Sequence, residues 1–437
     1  MAIVVAVNSA GCGGNRTTVC DHRSQISVEP PGFRHDRNSD ELICNYLYVC
    51  KRICGSFIEQ SARINESLLK IEEVLPMPAR SHNFFAGPAI LPVPVLEETR
   101  DAIMDFANLG ISIMEISHRD KAFEKVIQEA QQDALALMGL SPQEYSVVFL
   151  GGGASLQFAM VPMNFLHKKA DYINTGEWSS KAIKEAKLMG EVVEVASSKS
   201  TNFNQLPKEI KFSPDADYVH ITTNNTIFGT EWKKIPDTGT VPVIADMSSD
   251  MLGVVRDFKK FSLIYAGAQK NLGPAGVVMV VINKAWMEAK GKTNVPTMLK
   301  YKTHVDAASL SNTPPVLPVF VVGRTLKWII REGGLEKVQA RNEKKAKLIY
   351  DVFDAHPTFY KGAVACKEDR SLMNITWTLP TPEIEEKFLG EAKTKKMLGL
   401  KGHRSVGGCR ASLYNACPIE SVEALAKFME EFYKANK

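Results

Sequence analysis

Lys270 lies in the run Tyr265-Ala-Gly-Ala-Gln-Lys-Asn-Leu-Gly-Pro-Ala-Gly276, between apolar stretches at 261–265 and 277–282. Its small neighbours leave room for a large flat group, and an amine so placed is suited to forming a Schiff base. Most lysines are solvated loop residues, so Lys270 needs partners from elsewhere in the chain. Asp246 closes the apolar run Val241-Pro-Val-Ile-Ala-Asp246. A carboxylate at the end of a buried strand is costly alone. A protonated pyridine nitrogen would satisfy it, as would an N-cap donor role or a salt bridge.

Gly151-Gly-Gly-Ala-Ser-Leu-Gln157 follows the apolar stretch 145–150. Its glycines allow a tight turn, and free N–H groups at a helix start, with the Ser155 hydroxyl, suit a phosphate. The run lacks a Gly-Lys-Ser/Thr ending, and Leu156 stands where a dinucleotide fingerprint has its last small residue. A plain tight turn is the alternative. Trp178 could cover a flat ring, and Thr226, in Thr222-Thr-Asn-Asn-Thr226, could bond a phenolic oxygen. Singly they read as a packing tryptophan and a turn threonine. Together the set describes a site for pyridoxal phosphate, whose chemistry needs an imine-forming lysine and an acid that keeps the ring nitrogen protonated.

These residues need elements to bring them together. Stretches 97–109, 121–138 and 179–189 space apolar side chains as helices do. Stretches 145–150, 171–174, 191–196, 218–222, 241–246 and 277–282 are short and strand-like. The alternation predicts an α/β fold with a mostly parallel sheet covered by helices. Ligands gather at the carboxyl ends of such strands, where the chemically suited residues fall.

The 437 residues are 45% hydrophobic, enough for a large core and two domains. The 53 basic and 49 acidic residues leave +4 without a long basic run, which argues against nucleic acid as a partner. No apolar run approaches the roughly 20 residues of a bilayer span, so no membrane partner is expected. Small anionic substrates remain open.

Residues 1–80 have no sustained periodicity except a helix-like stretch at 56–75, and predict an extension, largely disordered or loosely attached. No basic residue precedes the short apolar run 2–7, which argues against a secretory signal. Arg16 without an acid in the first twenty residues keeps organellar targeting open, although Asp21, Glu29, Asp36, Asp40 and Glu41 weaken it. Asn15-Arg-Thr17 matches a glycosylation acceptor, with nothing else to indicate secretion. Cys12, Cys20, Cys44, Cys50, Cys54, Cys366, Cys409 and Cys417 form no CxxC pair. They predict reduced thiols, a cytoplasmic location and no metal site.

Further ordered stretches carry a resemblance: Asn83-Phe-Phe-Ala-Gly-Pro88, Ile116-Ser-His-Arg119, Ala245-Asp-Met-Ser-Ser249, Asn312-Thr-Pro-Pro315 and Gly402-His-Arg-Ser-Val-Gly-Gly-Cys-Arg-Ala-Ser412. From about His82 to the C-terminus, the chain resembles the phosphoserine aminotransferases, class V members of the fold-type I enzymes that use pyridoxal phosphate. The resemblance implies a large cofactor-binding domain over 81–337, a smaller α+β C-terminal domain over 338–437, and a homodimer with shared active sites. It implies that Lys270 holds the cofactor as an imine, with Gln269 beside it. Asp246 would pair with the ring nitrogen, Trp178 would stack on the ring and Thr226 would bond its oxygen. Ala154 and Ser155 would cradle the phosphate from one subunit, and Asn312 and Thr313 would reach it from the other. The extension before His82 has no counterpart in the family's usual pattern.

Glutamate and phosphohydroxypyruvate, the implied substrates, each carry two anionic groups, which arginine's planar fork suits. His118-Arg119 and His403-Arg404 with Arg410 supply such donors. By resemblance, Arg410 takes the α-carboxylate and Arg119 the distal anion, while His403 and Arg404 complete the phosphate pocket across the dimer. Ser155 stands where some members carry an arginine, so this pocket has fewer cations or gains one elsewhere. The implied products are phosphoserine and 2-oxoglutarate, in serine biosynthesis; a phosphorylated keto acid of vitamin B6 synthesis is a further candidate substrate. An alanine–glyoxylate aminotransferase would share the cofactor residues without needing so many anion-binding side chains. A desulfurase needs a mobile cysteine, for which Cys409 and Cys417 have no evident setting. A nicotinamide-dependent oxidoreductase would leave Lys270 unexplained, and a non-enzymatic binding protein on this scaffold would predict loss of Lys270 or Asp246.

Overall fold

The computed structural model describes residues 80–437, of which Ser81–Lys437 form one compact unit. The helix-like stretch 56–75, the cysteines from Cys12 to Cys54 and the Asn15 triplet lie outside the described residues.

The chain enters through β1 (His82–Asn83), α1 (Val93–Met104) and α2 (Lys121–Met138). It continues with β2 (Tyr145–Leu150), α3 (Gly153–Phe165), β3 (Lys169–Asn174), α4 (Glu177–Ala186) and β4 (Glu191–Ser197). Then come β5 (Val219–Thr222), β6 (Val243–Asp246), β7 (Phe261–Gly267) and β8 (Val278–Asn283). The helices α5 (Lys284–Lys290), α6 (Tyr301–Asp306), α7 (Val316–Arg331) and α8 (Gly334–Ala355) follow. The chain ends with β9 (Lys361–Gly362), β10 (Asn374–Thr378), α9 (Pro382–Thr394), β11 (Met397–Leu398), β12 (Cys409–Ser412) and α10 (Ile419–Asn436).

Local chemistry sets the helix ends. α2 begins where the Asp120 side chain accepts from the Ala122 N–H and stops at Gly139, with φ +63°. The helix expected at 97–109 runs instead from Val93 to Met104. Pro94 fits its first turn, and beyond its end Ala107 and Asn108 take φ +56° and +58°. The expected strands form, with ends shifted by a few residues.

The large sheet has seven strands in the order β2-β8-β7-β6-β5-β3-β4. β7, β6, β5, β3 and β4 pair in parallel, and β8 runs antiparallel to both β2 and β7. All strands but β8 therefore point one way. Alternate residues face opposite cores. Val147, Ile264, Ala266 and Val281 pack with Ile127, Ala134 and Val322 of α2 and α7. Val148, Leu263 and Val280 pack with Phe158, Val161 and Ile183 of α3 and α4. Burial on both faces explains why β6 and β8 read as continuous apolar runs.

A three-stranded sheet, β12-β10-β9, is antiparallel and lies in a second core with Phe353, Trp377, Phe388, Phe428 and Phe432. Phe84 and Ile90 join this core, and β1 pairs with β11. α8 gives Leu335 and Val338 to the sheet-side core and Ala346 onward to the second. The boundary expected at 337/338 therefore falls inside one continuous helix.

Candidate active site

Because six strands share a direction, the turns after β2, β3, β5, β6 and β7 emerge along one edge of the sheet. In chain order these turns carry Gly151 to Ser155, Trp178, Thr226, the Asp246 strand end and Lys270. Gly152 caps α3 with φ +82°, and a Cβ there would come within 2.6 Å of the Leu156 side chain. Glycine is thus required twice over, by conformation and by space. Ala154 and the exposed Ser155 lie in the first turn of α3, which has no acidic residue and no side-chain cap. Such a turn presents N–H groups to an anion.

Lys270 is 9% exposed, and its Nζ donates to Thr226 Oγ1 at 2.8 Å. The amine lies 5.5 Å from the centroid of the half-buried Trp178 ring. Burial pulls its pKa down to about 8, Arg410 acts the same way, and the charge of Asp246 opposes both. The neutral amine, the nucleophilic form, is thereby made accessible near neutral pH. Gly87, with φ +139°, borders the lysine; a Cβ there would lie 3.3 Å from Lys270 Cγ. Gln269 is half-buried, and its carbonyl accepts from the Ala89 N–H at 2.9 Å.

Asp246 is 4% exposed, and its Oδ1 accepts from the Ser248 N–H at 2.9 Å. Burial raises its pKa, against the Ser248 bond and the attraction of Lys270. For both groups burial outweighs mutual attraction, so the pocket favours a further cation against the carboxylate. The proton of a pyridine nitrogen is such a cation. Below this edge His220 stacks on Tyr172 at 4.8 Å and bonds Tyr265 Oη at 2.8 Å. Burial depresses the His220 pKa to about 3, so it stays neutral, and Tyr265 lies in register beside Asp246.

Arg410, half-buried on β12, donates from Nη1 to the Thr226 carbonyl at 3.2 Å. Its Nε is buried with no partner, as are Trp178 Nε1 and Thr222 Oγ1. An unpartnered guanidinium N–H suits an incoming carboxylate. These residues fit pyridoxal phosphate: an amine, a carboxylate awaiting a cation, an aromatic face and an uncapped helix start. His403 is half-buried, bonds Ser405 Oγ at 2.7 Å, and has its pKa lowered by burial and then by Arg410 and Arg404. His403 therefore lies near Arg410 of its own chain; Arg404 is exposed.

The remaining expected residues form a separate group. Thr313 Oγ1 and His118 Nδ1 are 3.2 Å apart, and His118 Nε2 is buried without a partner. Arg119, Asn312 and Thr313 are exposed. Among the described residues, no hydrogen bond or ion pair joins this group to Lys270. Asn225 was overlooked in the sequence: its Nδ2 donates to the Thr175 carbonyl, tying the Trp178 turn to the Thr226 turn. Gly176 gives it room, since a Cβ there would lie 2.4 Å from Asn225 Nδ2. Two adjacent asparagines at a strand end were the available signal, and turn-forming explained them equally well. Among the described residues, no group of His, Cys, Asp or Glu could hold a metal ion, and no helix is long and apolar enough to cross a membrane.

The aminotransferase class-V family model matches residues 81–425. The phosphoserine aminotransferase of Lysinibacillus sphaericus is 52% identical over 365 residues, 83% of this chain and 100% of the relative. The solved phosphoserine aminotransferase from Bacillus circulans subsp. alkalophilus has a TM-score of 0.79 at 50% identity, covering 82% of this chain and 99% of that one. A PLP-bound phosphoserine aminotransferase from Trichomonas vaginalis has a TM-score of 0.76 at 37% identity, covering 80% and 100%. The chain belongs to the class-V aminotransferase family, in its phosphoserine aminotransferase branch.

Proposed function

We propose that this chain transfers the amino group of glutamate to 3-phosphohydroxypyruvate, giving phosphoserine and 2-oxoglutarate in serine biosynthesis, with pyridoxal phosphate as cofactor. The observation that carries this reading is the meeting of Lys270 and Arg410 on Thr226, with Asp246 close enough to act on the lysine's charge. Relatives at about half identity bear the name of that activity.

When bound, the cofactor supplies an electron sink for the pair left when the substrate's Cα loses its proton. Lys270 Nζ would hold the cofactor, and its neutral amine would be the base that takes the proton from the substrate's Cα. Asp246 keeps the ring nitrogen protonated, Trp178 covers the ring, and Gln269 contacts the cofactor beside Lys270. The Thr226 hydroxyl would bond the ring oxygen. Ala154 and Ser155 present first-turn N–H groups to the phosphate. Arg410 binds the α-carboxylate, which both substrates carry, with the N–H groups that Thr226 leaves free.

Arg119 with His118, and His403 with Arg404, take the distal anion. Asn312 and Thr313, exposed in the single chain, reach the phosphate of a second copy, so the working unit is a homodimer with shared sites. Residues 81–337 and 338–437 act as large and small domains, a division supported by the separate second core. The location is the cytoplasm, with any organellar address left to residues 1–80.

The test is transamination by purified protein with glutamate as donor and phosphohydroxypyruvate, pyruvate or glyoxylate as acceptor. Turnover confined to phosphohydroxypyruvate is expected. Equal or faster turnover of pyruvate or glyoxylate would replace this function with that of another class-V aminotransferase.

A further inference from the structure

Arg410 meets Thr226 through one hydrogen bond of 3.2 Å, yet Arg410 lies on β12 of the small sheet and Thr226 in the turn after β5 of the large one. That bond uses one N–H of the guanidinium fork and by itself leaves the group free to turn about it. A second connection closes the gap. Asn374, on β10 and fully buried, accepts through Oδ1 from Asn224 Nδ2 at 2.8 Å. Its Nδ2 donates to Ser412 Oγ at 3.0 Å and to Tyr414 Oη at 3.1 Å. Asn224 precedes Thr226 by two residues, and Ser412 follows Arg410 by two. Asn374, Asn224, Thr226, Arg410 and Ser412 therefore form a closed ring of three hydrogen bonds and two short backbone segments.

The ring is tightly specified. Both amide protons and the oxygen of Asn374 are used. Asn224 also donates to Ser249 Oγ at 2.8 Å and accepts from Ser371 Oγ at 2.6 Å. Ser249 lies just beyond the Asp246 strand end, and Tyr414 Oη donates to the Ala86 carbonyl at 2.7 Å, next to the Gly87 that borders Lys270. One buried amide thus touches the segments that carry Arg410 and Thr226, and reaches those of Asp246 and the lysine wall through Asn224 and Tyr414.

We propose that Asn374 is a positioning residue that holds the Arg410 strand in register with the Thr226 loop, so that the carboxylate clamp and the lysine engage the same substrate; this rests on the function proposed above. Asn374 reaches the reaction only through Asn224, Ser412 and Tyr414. Removing its amide leaves buried partners unsatisfied and loosens the Thr226 loop against β10 and β12, which stay paired through their backbone ladder; a ~1 Å misplacement of a binding group can cost up to roughly a hundredfold.

The experiment compares Asn374→Ala, Ser412→Ala and Tyr360→Phe in the cofactor-loaded protein. Tyr360 Oη donates to the Met429 carbonyl at 2.7 Å in the same core, away from the ring, and reports the cost of losing a buried bond. Asn374→Ala and Ser412→Ala should raise KM for both glutamate and phosphohydroxypyruvate by roughly 10- to 100-fold, with a smaller fall in kcat. Tyr360→Phe should lower the melting temperature and leave KM unchanged. The proposal is overturned if the ring variants move KM no more than Tyr360→Phe. Should Asn374→Ala not fold, Ser412→Ala and Asn224→Ala decide: non-additive KM effects support the ring, and additive effects overturn it. Wild-type protein inactive on both substrates would sink the function alone; the ring is then judged by calorimetric binding of succinate, which Asn374→Ala must weaken as Arg410→Ala does.

Discussion

Lys270 and Arg410 are joined through the two oxygens of Thr226: the amine donates to its hydroxyl at 2.8 Å and the guanidinium to its carbonyl at 3.2 Å. The groups proposed to hold the cofactor and the substrate's carboxylate are therefore referenced to one residue. Their charges repel, which helps burial keep the lysine pKa near 8.

Asp246→Asn should keep the shape of the strand end and remove the charge that holds the ring nitrogen's proton. We expect kcat to fall by roughly a hundredfold or more, as for other preorganised charges. Lys270→Ala should lose at least about a thousandfold, the scale of general acid–base assistance. Steady-state kinetics check both. Asp246→Asn turning over at the wild-type rate would remove the carboxylate from the mechanism.

Stability of the cofactor-free protein should depend on the same two groups. The folded pKa of Lys270, about 8, lies below its ordinary 10.5, so between these values the unfolded chain binds more protons. The resulting penalty is full below about pH 8 and fades as pH rises toward 10.5. Lys270→Met should therefore raise the melting temperature at pH 7, by roughly 1–3 kcal/mol of stability, and the gain should shrink at pH 10. A gain independent of pH would mean that burial of the charge is not its source.

Lys345 provides the contrast. It too is buried, with its pKa pulled down to about 7, yet its Nζ donates to the carbonyls of Leu413, Tyr414 and Cys417. Lys345→Met removes the ammonium donor from the Leu413 and Cys417 carbonyls and leaves the Tyr414 carbonyl only the Cys417 N–H, and should destabilise the protein by roughly 2–4 kcal/mol despite removing a desolvated amine. Urea unfolding at pH 7 measures this directly; a stabilised variant would contradict it.

Arg410→Lys retains the charge and loses the fork. Guanidinium can bond Thr226 and a carboxylate together, whereas an ammonium is a point charge on a flexible stem. KM for glutamate and phosphohydroxypyruvate should rise about tenfold or more, with kcat less affected. A change confined to one substrate would mean that Arg410 does not bind the group they share.

Strand and site positions were largely legible because their causes are local. Apolar runs such as the one ending at Asp246 must cross a buried sheet, and Gly151-Gly-Gly can only turn. The helix at 97–109 was misplaced because the pattern registers apolar spacing, while Pro94 and the left-handed residues after Met104 set its real limits. The boundary at 337/338 was drawn through α8 because a helix that serves two cores shows no break in its sequence.

Residue chemistry alone names the side chains suited to a flat phosphorylated cofactor, since an amine, a carboxylate and a glycine turn carry those properties wherever they stand. Tertiary structure decided their relations: that Lys270 and Arg410 share Thr226, that His403 lies near Arg410 of its own chain, and that Asn374 ties the small sheet to the turn after β5. Those contacts join residues as far apart as Thr226 and Arg410. Strand register and side-chain direction create them, and neither leaves a periodic trace in the sequence.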